Sequence, residues 1–310
     1  MNGEHQVLVI GAAALDVKVQ TSVDKTRTGQ SNPADIRSSW GGVARNIAEN
    51  LTLLGASVQF ITAVGDDEMG HNLIQHLNQV GVDTDATLRL PGRKTPAYVG
   101  IRRAESVWMA FDDMRIVQEI TPDYLQEQRD LFKHADMICL DANPSPSTLE
   151  TIFQLAQAYE IPVCVDPTTA VLAPKLRPFL TEIEALTPGL KEAEALLERS
   201  LPDADAILWG TRTLAQQMGV TLAIITQGAD GLSYATTEEN GRLPPFEAEI
   251  VDPIGTGDAL TAAVAYGLLE DLPPSEAVRL GLAAAAQTII CKETVCPYLD
   301  LGILYERLIV

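Results

Sequence analysis

The 310-residue chain has little aromatic content, 5%, so its core must be aliphatic, built from Leu, Val, Ile and Ala. It is also short of positive charge. Lys and Arg number 22 against 42 Asp and Glu, a formal charge of −20. A surface this acidic repels the phosphates of DNA, RNA and anionic lipid, which argues against nucleic acid and membrane as partners. The start, MNGEHQVLVIG, lacks a basic n-region, and no apolar run approaches about 18 residues. Neither a signal peptide nor a membrane span is expected. The four histidines (His5, His71, His76, His134) form no metal motif. Of the four cysteines, Cys139 and Cys164 lie in apolar runs, and Cys291 and Cys296 have no second Cys/His pair to complete a zinc pattern. A reduced, cytoplasmic setting is expected. G-x-x-x-x-G-K-S/T, G-x-G-x-x-G after the first strand, G-x-S-x-G and H-E-x-x-H are all missing.

What is present is a rhythm. Val7–Ile10 is a short apolar run ending at Gly11, a buried strand. After Gly41 and Gly42, the residues Val43, Ile47, Leu51 and Leu54 mark one face of a helix closed by Gly55. Val58–Val64 reads as a strand and Glu68–Val80 as a helix. From residue 136 onward, apolar strands at 137–140, 162–165, 184–186 and 221–225 alternate with helical patterns near 147–158, 190–199 and 203–218. Such alternation predicts a parallel sheet covered on both faces. Residues 231–251 read as a meander, and helices near 256–270, 274–290 and 299–308 close the chain. Two segments interrupt this scheme. Residues 17–39 hold an alternating strand and a polar excursion, and 96–112 hold AYVGI and VWMAF around RRAES, a hairpin pattern. Together they predict a small separate β-lid on a single domain spanning 1–310.

The most informative stretch is Asp252-Pro-Ile-Gly255-Thr256-Gly257-Asp258, which follows strand-like FEAEIV and opens a helix. Glycines there let backbone N–H groups of the first turn surround an anion. Asp258 beside them can accept the proton of an attacking alcohol. The spacing serves equally well an Asp that merely complements the helix dipole. Gly41-Gly42 and Asn46 open another helix and can approach a ligand closely. Asp16, beyond the first strand, can accept from vicinal hydroxyls or simply form a turn.

Taken together, these stretches resemble the ribokinase-like, or phosphofructokinase-B, family of sugar and nucleoside kinases. Gly41-Gly42-x-x-x-Asn46 with LTLLGASVQFITAVGDDEMG is similar to its first signature. Asp252–Asp258 is similar to its second, D-T-T-G-A-G-D. The resemblance implies an α/β fold, a three-layer α/β/α sandwich with a mostly parallel central sheet and a small β-lid. It also implies Asp258 as catalytic base and Gly255, Thr256 and Gly257 as anion hole. Asp16, Gly41, Gly42 and Asn46 would hold the acceptor. Thr226, Gly228 and Gly231 would lie beside ATP. Glu192 would act on Mg²⁺, although Gly189 stands where the family's N-x-x-E motif has Asn. A monovalent cation such as K⁺ is possible near Asp252, where Pro253-Ile254 replaces the usual Thr-Thr. Within the family, Ser31-Asn32-Pro33, GGVARNIAENLTLLG, Phe111-Asp112-Asp113-Met114 and Asp141-Ala-Asn143 resemble pseudouridine kinases. There Asn32 and Asp113 either read the base's imide edge or cap lid turns. The activity implied is ATP-dependent phosphorylation of a nucleoside 5′-hydroxyl. The alternatives are a sugar kinase acting on ribose or fructose, or a weakly active nucleoside-binding regulator. Exposed lid edges imply a homodimer.

Overall fold

The computed structural model describes residues 5–21, 26–103 and 106–309. Its strands are β1 (Gln6–Ile10), β2 (Ala14–Thr21), β3 (Ala34–Gly41), β4 (Ser57–Ile61), β5 (Ala63–Gly65), β6 (Leu88–Leu90), β7 (Ala97–Arg103), β8 (Ser106–Asp113), β9 (Met137–Asp141), β10 (Val163–Asp166), β11 (Ala185–Leu186), β12 (Leu222–Thr226), β13 (Leu232–Ala235) and β14 (Asn240–Leu243). Its helices are α1 (Val43–Leu53), α2 (Glu68–Val80), α3 (Pro122–Glu127), α4 (Arg129–His134), α5 (Pro146–Ala158), α6 (Leu190–Leu197), α7 (Ala204–Gln216), α8 (Thr256–Leu269), α9 (Pro274–Thr288) and α10 (Leu301–Ile309).

Eight strands form the central sheet in the order β14-β13-β12-β11-β10-β9-β1-β4. Every pair from β4 to β12 is parallel, and β13 and β14 add an antiparallel edge. Parallel neighbours need a crossover, and helices provide it on both faces. The alternation of side chains along β1 makes this concrete. Val7 and Val9 enter a core with α1, α8 and α9, whereas Leu8 and Ile10 enter a second core with α5 and the segment around Leu176. All four are essentially inaccessible to solvent. Helix starts follow from capping side chains. Asp67 accepts from Gly70 N at 2.9 Å, Ser145 from Thr148 N at 3.1 Å and Asp203 from Ala206 N at 2.8 Å.

A second sheet of four strands, in the order β3-β2-β7-β8, is built from the two segments that interrupted the sequence rhythm. Residues 22–25 and 104–105 of those segments lie outside the described residues. The register places Ile36, Val19, Ile101 and Met109 in one row across the sheet, and Ser38, Val17, Val99 and Phe111 in the next. Side chains alternate along each strand, so Asp16, Lys18, Tyr98 and Asp112 fall on the opposite face.

Three local expectations change. The run Val58–Val64 is two strands, because β5 leaves the main sheet to pair with β6. FEAEIV, residues 246–251, forms no strand. It crosses the surface with Ile250 64% exposed, and Val251 N and Asp252 N both donate to Ile289 O. Cys291 and Cys296, expected as reduced thiols, are joined as a disulfide across a short loop after α9 with their Cα atoms 5.5 Å apart. Cys139 and Cys164 are free and buried side by side on β9 and β10.

Candidate active site

The C-terminal ends of β1, β9 and β10 point toward the N-termini of α1 and α8, the usual place for a ligand in an open parallel sheet. α8 is capped at its N-terminus by Gly255, whose φ of 90° is left-handed. A Cβ there would also overlap the carbonyl oxygen of Thr294, so only glycine lets the 291–296 loop pack underneath. The other side of the turn is open, with nothing within 4 Å of the position of a Cβ on Gly257. The first-turn N–H groups of α8 have no intrahelical acceptor and carry the positive end of the helix dipole. Thr256 Oγ1 donates to Pro253 O at 2.9 Å and fixes the turn.

Asp258 follows in that first turn and is 9% exposed. Burial pushes its carboxyl up to about 7, reinforced by Asp16 and Asp141 and opposed by Asn46 and Arg45. A carboxyl poised there is matched to general-base work near neutral pH. Asn46 Nδ2 donates to Asp258 Oδ2 at 2.5 Å. Asn46 Oδ1 is buried and, among the described residues, has no hydrogen-bond partner. A buried amide oxygen left this way is satisfied by a ligand hydroxyl or water.

Asp16 reaches the same place from β2, opposite Ser39 on β3. A Cβ at Gly41 would overlap its carboxylate, so glycine is what allows strand and side chain to meet. Burial raises Asp16 to about 6, against the lowering effects of Arg45 and Lys18. Behind these groups, Asp141 is fully buried and accepts from Ala12 N at 2.9 Å, Ala44 N at 3.3 Å and Asn143 N at 2.8 Å. It braces the β1 end, the α1 start and the loop bearing Asn143.

A cleft of about 950 Å³ opens between these elements and the polar face of the four-stranded sheet. Asp16, Gly42, Asn46 and Asp258 line it, as the sequence suggested. So do Tyr98, Gln118, Asn143 and Lys175, which sequence reasoning did not assign to a site. Lys175 Nζ donates to the carbonyls of Ala142 at 2.6 Å and Pro144 at 2.6 Å. Gln118 Nε2 donates to Asn143 O at 2.7 Å. No motif marks Lys175 or Gln118; only the fold brings them to the cleft.

Two of the candidates behave locally. Asn32 is not brought to the cleft. Its Oδ1 accepts from Arg27 N at 2.8 Å and its Nδ2 donates to Arg27 O and Gln30 O, so it caps a turn. Asp113 lines the cleft mouth but grips Arg115 at 2.8 and 2.7 Å, which holds its carboxyl down at about 2.

Further along the sheet, Gly189 caps α6 and bridges Thr226 at the end of β12. Thr226 and Glu192 thus both flank Gly189, and the turn Gly228–Asp230 and Gly231, at φ 82°, follow directly after Thr226. A Cβ at Gly189 would lie 2.5 Å from Glu192 Oε2, so the missing Asn side chain leaves room that Glu192 takes. Asp166, on β10, is raised well above its ordinary range by burial, then by Asp258 and Glu192. Among the described residues, no group of three or more His, Cys, Asp or Glu side chains could hold a metal ion alone.

This arrangement has counterparts. The profile of the pfkB family of carbohydrate kinases matches residues 4–299. The chain belongs to the pfkB family. It is 32% identical to the pseudouridine kinase of Escherichia coli K12, over 97% of this chain and 96% of that one. It is 25% identical to a guanosine-inosine kinase of Exiguobacterium acetylicum, over 93% and 96%. Arabidopsis thaliana ribokinase, solved with ribose and ATP, superposes with a TM-score of 0.84 at 20% identity, covering 98% and 99%. This pfkB protein is thus an ATP-dependent carbohydrate or nucleoside kinase with the ribokinase-like fold. No helix among its described residues is long and apolar enough to cross a membrane.

Proposed function

We propose that this pfkB kinase transfers the γ-phosphoryl group of ATP to the 5′-hydroxyl of a nucleoside, with pseudouridine as the leading acceptor. The observation that carries the reading is the pairing of Asp258 with Asn46, whose buried Oδ1 lacks a partner, inside a cleft that continues to Asn143, Gln118 and Lys175. A free ribose or fructose would occupy the Asp258 end and leave those far groups unused. A ribosyl group carrying a base reaches them. The 32% identity to a pseudouridine kinase supports the same choice.

In this reading Asp16, Asn46 and the Gly41–Gly42 backbone hold the ribose hydroxyls, and Asp258 takes the proton of the attacking 5′-hydroxyl. The N–H groups at Gly255, Thr256 and Gly257 receive the negative charge spreading over the transferred phosphoryl group. Thr226, Gly228 and Gly231 flank the nucleotide. Asp166, whose proton affinity is raised by burial and by the neighbouring Asp258 and Glu192, would with Glu192 hold a hydrated Mg²⁺ arriving with the nucleotide. Bound Mg²⁺ offsets the charge of the triphosphate. K⁺ is not part of this reading, because Lys18 Nζ already stands 2.9 Å from Asp252 Oδ2 at the loop before the anion hole.

The four-stranded sheet acts as a lid, its polar face over the acceptor and its apolar face outward. Ile36 at 64%, Phe111 at 58% and Met109 at 40% exposure are uncovered parts of that apolar face. A second copy covering it would give a homodimer. A kinase of this kind works where ATP is supplied, which favours the cytoplasm.

ADP release measured with pseudouridine, uridine, adenosine, ribose and fructose at equal concentration tests the acceptor. The reading expects the highest kcat/KM with pseudouridine. Preference for a free sugar would replace it with the sugar-kinase alternative. Absence of Mg²⁺-dependent ADP release with every acceptor would leave a binding protein.

A further inference from the structure

Arg45 is the third residue of α1 after the Gly42 cap, and it is 2% exposed. A buried arginine needs its donors and charge satisfied. Its own N–H donates to Ala12 O at 3.1 Å, at the end of β1. The guanidinium folds back across the helix start. Nε donates to Gly41 O at 3.3 Å, one Nη donates to Trp40 O and the other pairs with Glu49. It therefore clamps the last two residues of lid strand β3 onto the helix carrying Asn46. Glu49 is held in turn by His76 Nε2 of α2 at 3.0 Å.

We propose that Arg45 is a positioning residue for phosphoryl transfer: it locks the Gly41–Gly42 junction between lid and α1 and gives the acceptor pocket a fixed positive charge. The inference rests on Asp258 being the base. Asp258 faces Asn46 and Arg45 from α1, Asp16 from β2, Asp141 from β9 and Asp166 from β10. Arg45 is the only cation among these neighbours. Around Arg45 itself stand Glu49, His76 of α2 and Glu293 of the 291–296 loop, across a hollow of about 450 Å³. The positive part of the field at Asp258 is that of Arg45 less whatever Glu49 cancels, set against the negative charges of Asp16 and Asp141. Arg45 lowers the proton affinity of both Asp16 and Asp258, opposing burial.

The test is the pH dependence of kcat/KM in four proteins with folding checked by thermal melting. In the wild type, activity rises with pH as Asp258 loses its proton. Arg45→Gln removes the charge and should move that acid limb upward by on the order of one pH unit, so that activity recovers in alkaline buffer. Arg45→Lys keeps the charge but not the fork, so the limb should stay and KM for the acceptor should rise. Glu49→Gln leaves Arg45 uncompensated, and its limb should move downward. That opposite shift comes from a side chain that does not contact the cleft, and packing loss alone would not produce it. Limbs that stay at the wild-type pH in both Arg45→Gln and Glu49→Gln overturn the proposal. If Arg45→Gln does not fold, the Glu49→Gln limb decides alone, a downward shift supporting the proposal and no shift overturning it. Asp258→Asn separates the two levels. Wild-type turnover in that variant removes the base assignment and this inference with it, whereas loss of turnover with immobile limbs removes only the role of Arg45.

Discussion

The central sheet and the four-stranded lid sheet obey the same two-residue side-chain alternation and meet opposite fates. In β1 and β9 both faces are covered, so Val7 and Val9 look into one core while Leu8 and Ile10 look into another. In the lid, one face carries Asp16, Tyr98 and Asp112 over the cleft, and the other presents Val17, Val99 and Phe111 outward. The first sheet is a scaffold whose strand ends hold Asp141 and Asp166 in place. The second lays a polar face over the cleft and leaves much of its apolar face exposed. In the proposed reading the chemistry is anchored at the strand ends of the central sheet, and the polar face of the second sheet lies over the acceptor.

The largest effect that sharpens this contrast belongs at the anchored end. Asp258→Asn should fold normally and lose about 10²–10⁴-fold in kcat, measured by coupled ADP release. The same substitution should raise stability at alkaline pH. Burial lifts the folded-state pKa of Asp258 to about 7, above its ordinary carboxylate value. The folded protein therefore binds this proton more tightly than the unfolded chain, and stability falls as pH rises through that window. Denaturant titration should find Asp258→Asn more stable than the wild type at pH ~8, by roughly 1–3 kcal/mol, with the gap closing toward pH ~4. A wild type equally stable relative to the variant at both pH values would mean the carboxyl is not desolvated.

Next come the scaffold side chains. Leu140 of β9 is 0% exposed and sits in the core shared with α5. Leu140→Ala should cost about 2–5 kcal/mol in unfolding free energy, because the surrounding strands and helix cannot collapse into the space. A loss below that range would show that this face of the sheet is less tightly packed than the lid contrast requires.

The same contrast explains what the sequence disclosed. Strands buried on both faces write themselves as uninterrupted apolar runs, so MICL and VLVI mark the parallel sheet directly. The helix starts at Gly42 and Gly255 were legible because a left-handed residue followed by a polar first turn has few other uses. FEAEIV failed because its alternation is that of a strand, yet residues 246–251 cross the surface without joining the sheet edge at β14. Lys175 and Gln118 were invisible for another reason. Each acts through backbone carbonyls of the 142–144 loop, a contact made by tertiary placement and carried by no local pattern. Asn32 shows the converse: a polar residue in a promising segment whose hydrogen bonds are all spent within five positions. Arg45 lay within the quoted helix signature, but its grip on Trp40 and Gly41 depends on the chain doubling back at the glycine pair.

The smallest effect on folding belongs to the outward face of the lid, where the contrast is most easily broken. Phe111 is 58% exposed, next to the Met109 row. Phe111→Asp should leave the unfolding free energy of the monomer within about 0.5 kcal/mol, as expected for a surface position with no buried partner. Light scattering should nevertheless change, from the mass of two chains to that of one, because a carboxylate placed on each facing sheet would have to be desolvated opposite its twin. A wild type that is already monomeric would remove the dimer, and the apolar face would then have to be covered by the lid's own motion. A variant that loses several kcal/mol would show that Phe111 is packed against the scaffold, and the two sheets would not be separable in the way their side-chain patterns indicate.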